Sequence, residues 1–132
     1  MNPTTPIQNF RDLRVWQMAV DLVDAVYDAV DSYPKSELFG LTDQLKRAAV
    51  SVPSNIAEGQ QRSSTKEYVR FLNIARGSLA ELETQLIIST RRNFLKQIVL
   101  QKLTQEIAEL RRMLNALIVV LKKKYAVQNN NR

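Results

Sequence analysis

The chain has 132 residues, a formal net charge of +6, and neither cysteine nor histidine. This length fits one domain. The missing cysteine excludes disulfides and thiolate chemistry, and the missing histidine excludes imidazole-dependent catalytic triads and the commonest transition-metal ligand. The amino terminus lacks a basic region followed by an apolar core, and no apolar run is long enough to cross a bilayer. We therefore expect a cytoplasmic protein that has no membrane partner.

The charge is unevenly distributed along the chain. Residues 1–44 hold three basic and seven acidic side chains, whereas residues 45–132 hold sixteen basic and six acidic ones. Such an asymmetry favours either attraction to a polyanion or pairing of oppositely charged faces between subunits. The alternative is a solvated surface that is basic without a function.

The first predicted helix follows an extended arm at residues 1–10, which carries two prolines and no periodicity. The helix should cover about residues 12–33 and end at Pro34, because apolar residues recur at helical spacing. Its predicted apolar stripe consists of Trp16, Val20, Val23, Tyr27 and Val30. A polar stripe beside it contains Asp21, Asp24, Asp28 and Asp31. These aspartates are either a solvated face or an edge that docks basic side chains of a neighbouring subunit.

The second predicted helix, at about residues 42–60, contains the sequence QLKRAAVSVPSNIAEG. Pro53 lies within it and removes one amide donor, so we expect a disturbance there. The small residues around the proline allow another backbone to come close, and the polar residues brought in with them need partners. We interpret this stretch as a helix-packing joint. In the connector before it, Leu38 and Phe39 are expected to cover one end of the bundle.

The third predicted helix begins after a capping box, Ser64 with Glu67. Its apolar seam is Tyr68, Leu72, Ala75, Leu79, Leu82 and Leu86, and the core stripe is expected to include Phe71, Ile74 and Ile87. A glycine inside a helix costs about 1 kcal/mol relative to alanine. We therefore expect the second helix to approach Gly77 closely. The helix should end near Arg91, with Asn93 in a left-handed turn.

The fourth predicted helix covers about residues 96–124 and has the most regular seam. That seam is Leu100, Leu103, Ile107, Leu110, Leu114, Leu117 and Leu121. The tail from Ala126 onward, residues 126–132, ends in QNNNR and is predicted to be disordered. Four helices with short connections and no strand pattern predict an all-α, up-down-up-down four-helix bundle as a single domain over residues 11–125.

No sequence motif indicates catalysis. A di-iron site in a bundle needs Glu-x-x-His pairs, which this chain lacks. The three glycines, Gly40, Gly59 and Gly77, are isolated and form no phosphate-binding loop. Tyrosine, lysine and carboxylate chemistry is not excluded, but no pattern arranges these residues. We expect no enzymatic activity, no cofactor and no metal.

Basic side chains are the positive feature of the sequence. They occur in groups, such as Arg62, Lys66 and Arg70 on one helix face at spacing i, i+4, i+8. A phosphate backbone requires distributed positive charge rather than exact spacing. We therefore predict non-specific binding of RNA or DNA through Lys46, Arg47, Arg62, Lys66, Arg70, Arg91, Arg92, Lys96, Arg111 and Arg112.

A family resemblance rests on two stretches, FRDLRVWQMAVDLVDAVY and QLKRAAVSVPSNIAEGQQRSSTKEYVRFLNIARGSLAELETQL. They resemble the bacterial four-helix-bundle proteins named for 23S rRNA intervening sequences, which are similar to the Avd accessory proteins of diversity-generating retroelements. The resemblance covers about residues 10–124, although the fourth helix matches only in pattern and Asn93 replaces the usual glycine. It implies a ring-like homopentamer, nucleic-acid binding through a basic surface and, for the Avd relatives, docking to a reverse transcriptase.

The family's hallmark positions also define a predicted packing and assembly network. Its residues are Ser51, Pro53, Asn55, Glu58, Gly59, Arg76, Gly77, Ser78 and Glu81, with Arg47, Arg62 and Glu83 as further hallmark positions. Asn55, Glu58, Arg76 and Glu81 are expected to form a hydrogen-bonded network that joins the second and third helices, or joins subunits. A ligand or nucleic-acid site at these residues is the alternative.

Overall fold

Four α-helices make up most of residues 9–130, the part of the chain that the computed structural model describes. They are α1 (Arg14–Val30), α2 (Leu41–Gln60), α3 (Thr65–Arg91) and α4 (Gln97–Asn130). Short 3₁₀ turns, Phe10–Asp12 and Lys35–Glu37, precede α1 and α2. No strand occurs between residues 9 and 130. The predicted arm falls almost wholly on residues 1–8, which lie outside the described residues.

The helices pack as a four-helix bundle around one apolar core. Each helix contacts its two neighbours, and α1 packs against α4 to close the bundle. The centre is formed by leucine and isoleucine side chains that are almost completely buried: Leu45, Ile56, Leu72, Leu79, Leu82, Leu86, Ile107, Leu110 and Leu114. Burial of each such side chain contributes about 1.5–3 kcal/mol. The predicted all-α bundle is confirmed.

The core stripe of α1 differs from the predicted one by a rotation about the helix axis. The buried residues are Val15, Ala19, Leu22, Val26 and Val30. Trp16, Val20 and Val23 lie at the border of the core, and Tyr27 is exposed. The prediction was right for Val30 and wrong for the other four positions. Two overlapping apolar stripes run along α1 with almost the same spacing, and only the packing of α2 and α4 selects between them.

Some apolar residues that were assigned to the core lie at the surface. Ile74 and Ile87 are exposed on α3, so the core stripe of that helix is narrower than predicted. Leu38 is half exposed and Phe39 is 92% exposed, so the connector does not cover the end of the bundle. Leu95, in the turn between α3 and α4, is buried there instead.

The end of α3 matches its prediction closely. Asn93 has a φ of 65°, the left-handed conformation expected for it. The amide of Phe94 donates to the carbonyl of Ser89 at 2.9 Å, and that of Asn93 to the carbonyl of Thr90 at 3.0 Å. These two bonds form a Schellman motif, which satisfies carbonyls that a helix end otherwise leaves unpaired.

Helix α4 is longer than predicted. It continues to Asn130, so residues 126–130 are helical rather than a disordered tail. No glycine or proline follows Lys124, and neither strong helix breaker is therefore present to end the helix. Among residues 97–127 of α4, however, Leu121 is the last buried one, and residues 122–127 are all exposed.

Candidate nucleic-acid interface and helix joint

A chain of hydrogen bonds joins α2 to α3 next to Pro53. The side-chain amide of Asn55 donates through Nδ2 to the Ser51 carbonyl at 2.7 Å and to the Ser51 hydroxyl at 2.9 Å. The two hydroxyls of Ser51 and Ser78 lie 2.8 Å apart, and Ser78 donates to the Ile74 carbonyl at 3.2 Å. Because Ser78 uses its proton there, Ser51 must donate to Ser78. We call Ser51, Asn55 and Ser78 the helix joint.

Pro53 itself does not break α2. The helix runs through it without interruption, and the proline ring is buried. The proline removes the amide that would donate to the carbonyl four residues earlier. Two residues later, the Asn55 side chain adds a bond to the helix backbone at Ser51. The joint therefore forms beside the position at which one backbone hydrogen bond is missing.

Gly59 is where α2 and α3 come closest. A Cβ atom added there would lie 2.9 Å from the Phe71 Cβ, 3.0 Å from the Tyr68 Cδ1 and 3.2 Å from the Tyr68 carbonyl. Atoms do not approach a real Cβ so closely, so this crossing requires glycine.

Gly77 contradicts the prediction of a close helix contact. It is exposed, and a Cβ atom added there would have no neighbouring atom within 4 Å. The small-residue contact between α2 and α3 therefore involves Gly59 and the helix joint, not Gly77. The prediction failed because Gly77 faces away from α2 even though its neighbour Ser78 faces it.

The predicted network of Asn55, Glu58, Arg76 and Glu81 does not form within one chain. Arg76 donates to Asn115 of α4 at 2.9 Å and to Asn73 at 2.7 Å, so it joins α3 to α4. Glu81 accepts from Gln85 at 3.2 Å. Glu58 has no hydrogen-bond partner between residues 9 and 130. That these side chains join subunits remains a prediction.

Four of the ten candidate nucleic-acid-binding cations are paired with carboxylates. Arg47 bonds to Asp43 at 2.8 Å, and Arg111 bonds to Glu83 of α3 at 3.0 Å. Arg70 pairs with Glu67 at 2.7 Å and lowers the pKa of that carboxyl through the hydrogen bond. Arg112 pairs with Glu109. The Glu67 carboxylate therefore binds Arg70. The backbone N–H of Glu67 donates to the Ser64 hydroxyl at 3.0 Å, which caps α3.

The other six candidate cations have no carboxylate within 4 Å in the described part of the chain: Lys46, Arg62, Lys66, Arg91, Arg92 and Lys96. The antiparallel helices divide them between the two ends of the bundle. Arg62 and Lys66 lie at the α2–α3 end, whereas Arg91, Arg92 and Lys96 lie at the α3–α4 end. The 27 residues of α3 separate these ends by about 40 Å. The structure does not bring the ten residues into one surface.

Aromatic rings hold three of the cations in place. The guanidinium groups of Arg62 and Arg70 lie 4.7 Å and 4.5 Å from the centre of the Phe71 ring. The Lys46 ammonium lies 4.8 Å from the centre of the Tyr27 ring. Such contacts contribute about 0.5–1 kcal/mol each at exposed sites and leave the positive charge available to a ligand.

A cluster of cations that was not included in the predicted interface lies at the α2–α3 end. Lys122, Lys123 and Lys124 are exposed on the last turns of α4, and none has a carboxylate within 4 Å among residues 9–130. The three consecutive lysines were visible in the sequence. Their position relative to α3 depends on the antiparallel packing, which the sequence alone does not specify.

A cleft of about 750 Å³ lies between the carboxyl-terminal half of α1 and the α3–α4 turn. Asp28 and Lys96 are its charged lining residues, and Ser32, Thr90 and Asn93 are among its neutral polar ones. The described residues contain no cluster of three or more acidic side chains placed to hold a metal ion. Within the same part of the chain, no helix has the length and apolar character needed to cross a membrane.

The family model of the 23S rRNA-intervening sequence proteins matches residues 11–116. The chain belongs to this family. The matched range begins just before α1 and includes all of α2 and α3 and the first 20 residues of α4. The resemblance seen in the sequence is thereby confirmed at the level of this family.

A solved structure resembles the bundle formed by this 23S rRNA-intervening sequence protein. It is that of a protein with unknown function from the S23 ribosomal protein family of Bacteroides thetaiotaomicron VPI-5482, with a TM-score of 0.71 and 20% identity. The alignment covers 79% of this chain and 97% of that one. At this identity the similarity shows the fold alone. No curated protein matches the chain.

Proposed function

We propose that the chain is a non-enzymatic, cytoplasmic accessory protein that binds RNA or DNA without sequence specificity. The observation that carries this proposal is the set of cations without a carboxylate partner at the two ends of the bundle. Arg62, Lys66, Arg91, Arg92 and Lys96 are all exposed. Exposed cations without a carboxylate partner can bind the phosphates of a nucleic acid. The counterions that these contacts release from the nucleic acid supply most of the non-specific affinity.

We infer that the protein assembles as a homopentameric ring. The family resemblance supports this assembly. Sedimentation equilibrium should give five times the 15.1 kDa mass of one chain. A single-chain mass at micromolar concentration would contradict the ring.

The nucleic-acid proposal is tested by comparing two double variants with the same loss of charge. Arg62→Ala/Lys66→Ala removes cations that have no carboxylate partner in the described part of the chain. Arg47→Ala/Arg112→Ala removes cations that are paired with carboxylates, although their side chains are 80% and 74% exposed. Binding of labelled single- and double-stranded RNA and DNA is measured by fluorescence anisotropy from low to physiological salt.

We expect Arg62→Ala/Lys66→Ala to weaken binding more than the control and to reduce the slope of log K against log salt. Each lost phosphate contact should reduce it by about 0.7–0.9. No binding at low salt, or no dependence on salt, would overturn the proposal. Equal losses in the two variants would show that the paired and unpaired cations do not differ as proposed.

The second candidate function is a ring that docks another protein and has no nucleic-acid role. It is favoured by Phe39, which is 92% exposed next to the half-exposed Leu38. In this case the partner is a protein with an apolar pocket, and a reverse transcriptase is the partner that the resemblance suggests. Phe39→Ser should then abolish co-purification with a reverse transcriptase encoded beside this gene while leaving nucleic-acid binding unchanged.

A further inference from the structure

The last described turns of α4, residues 119–127, lie mostly outside the core of the bundle. Among residues 97–127 of α4, Leu121 is the last buried one, and every residue from 122 to 127 is exposed. Four exposed apolar side chains lie within this segment: Val119, Val120, Tyr125 and Val127. We call residues 119–127 the α4 extension.

An uncovered apolar helix indicates a missing contact. Helix ends fray, and in proteins most helical stability comes from packing an apolar face against another surface. Val120 and Val127 lie seven residues apart, so they share one side of the helix. Val120 is 62% exposed and Val127 is 59% exposed. The α4 extension therefore presents an apolar stripe that packing against another surface would stabilise.

The charge of the α4 extension defines the kind of surface that fits it. Lys122, Lys123 and Lys124 give it three cations, and none has a carboxylate within 4 Å in the described part of the chain. A complementary surface must combine apolar side chains with carboxylates.

The acidic edge of α1, formed by Asp21, Asp24, Asp28 and Asp31, has this combination. All four aspartates are exposed and none is in an ion pair with another residue between 9 and 130. Like charges at these spacings repel one another, and α1 has no basic residue in its last turn to offset them. Tyr27 is exposed beside them and supplies apolar surface.

Two clefts border the acidic edge. Asp28 lines a cleft of about 750 Å³, and Tyr27, Asp28 and Asp31 line a second cleft of about 420 Å³. Lys96 and Lys46 line these clefts, but neither lies within 4 Å of an aspartate. The carboxylates of the edge therefore remain available to cations from outside the chain.

One chain cannot join these two elements to each other. Glu106 of α4 lies beside Asp21, where both line a small cleft. Lys122 is sixteen residues farther along α4, or about 24 Å. It lies toward the amino-terminal end of α1, whereas Asp24, Asp28 and Asp31 follow in the opposite direction. Only another copy can bring the two elements together.

We propose that the α4 extension docks on the acidic edge of a second copy of the chain. Val120 and Val127 pack beside Tyr27, and Lys123 and Lys124, which flank the Val120–Val127 stripe on the helix surface, pair with the aspartates of the edge. The contact joins two different surfaces, so each copy offers its α4 extension to one neighbour and its acidic edge to another. Such head-to-tail interfaces build rings when the rotation between copies closes. This inference rests on the proposed homo-oligomer and assigns the surfaces that hold it together.

The first test uses two apolar residues at opposite ends of α4. Val120→Asp places a negative charge in the proposed contact, while Ile98→Asp makes the same change at a 69% exposed residue outside it. Sedimentation velocity without nucleic acid gives the mass, and circular dichroism gives the helix content. We expect Val120→Asp to weaken self-association at least about tenfold with its helix content retained, and Ile98→Asp to assemble like the wild type.

The second test exchanges the charges. Lys123→Asp should weaken assembly, and Asp24→Lys in the same chain should restore it at least in part. If the wild-type chain assembles but Val120→Asp assembles equally well, the docking proposal is wrong and the ring proposal stands. If the wild-type chain is monomeric, the ring proposal fails and the docking proposal fails with it. Loss of assembly in Lys123→Asp without any rescue by Asp24→Lys would overturn the assignment of the acidic edge.

Discussion

At the scale of single residues, two glycines in neighbouring helices have opposite surroundings. Gly59 lies where α2 contacts Tyr68 and Phe71 of α3, and a Cβ atom there would be within 2.9 Å of the nearest atom. Gly77 has open space on the exposed side of α3. The same residue type is thus needed for packing in one helix and has no packing role within the chain in the other.

Replacing each glycine by alanine should therefore change stability in opposite directions. Gly59→Ala forces α2 and α3 apart and should lower the free energy of unfolding by about 1–3 kcal/mol. Gly77→Ala reduces the conformational entropy of the unfolded chain without introducing a clash. It should therefore raise the free energy of unfolding by about 0.5–1 kcal/mol. Urea unfolding at a fixed protein concentration measures both. A loss of stability in Gly77→Ala would show that a contact from another copy fills the space.

At the scale of helices, the structure depends on the ends of helices as much as on their apolar stripes. The Ser64 hydroxyl caps α3 at its start, and Asn93 ends it in a left-handed conformation with two backbone hydrogen bonds. Both devices are local, and the sequence predicted both. The stripe of α1 was mispredicted because several apolar faces overlap on that helix.

The left-handed conformation of Asn93 leads to a graded prediction. Asn93→Ala should lower the free energy of unfolding by about 1 kcal/mol, because alanine lacks the short polar side chain that lets asparagine tolerate the left-handed region. Asn93→Gly should leave it unchanged or raise it by a few tenths of a kcal/mol, since glycine adopts positive φ without strain. Thermal or urea unfolding of both variants tests the motif. Equal stability of the alanine and glycine variants would contradict the conformation.

At the scale of the whole molecule, the fold places acidic and basic side chains on different surfaces. The acidic edge lies on α1, while cations without carboxylate partners in the described part of the chain lie at both ends of the bundle. Ion pairs neutralise Arg47, Arg70, Arg111 and Arg112. Exposed pairs of this kind contribute little stability, about 0–1 kcal/mol each. We expect these pairs to make the four arginines weaker phosphate ligands than the cations without carboxylate partners.

This separation of charge predicts that self-association depends on salt. The Debye length shortens from about 10 Å at 0.1 M salt to about 3 Å at 1 M, so contacts between lysines and aspartates of different copies weaken. We expect sedimentation velocity to show a higher dissociation constant at 1 M than at 0.1 M sodium chloride. Constant or stronger association at high salt would show that apolar contacts dominate the assembly.

The sequence by itself determined the family, the four helices, the regular cores of α3 and α4, and the turn at Asn93. These features follow from local spacing and backbone conformation, which a single chain segment specifies. Only the tertiary structure decided that Gly59 rather than Gly77 is the close contact, that Arg76 joins α4 rather than α2, and which cations are paired. Each of these depends on how the helices are rotated and aligned against one another. Side chains of neighbouring helices set that alignment, and periodicity within one helix does not specify it.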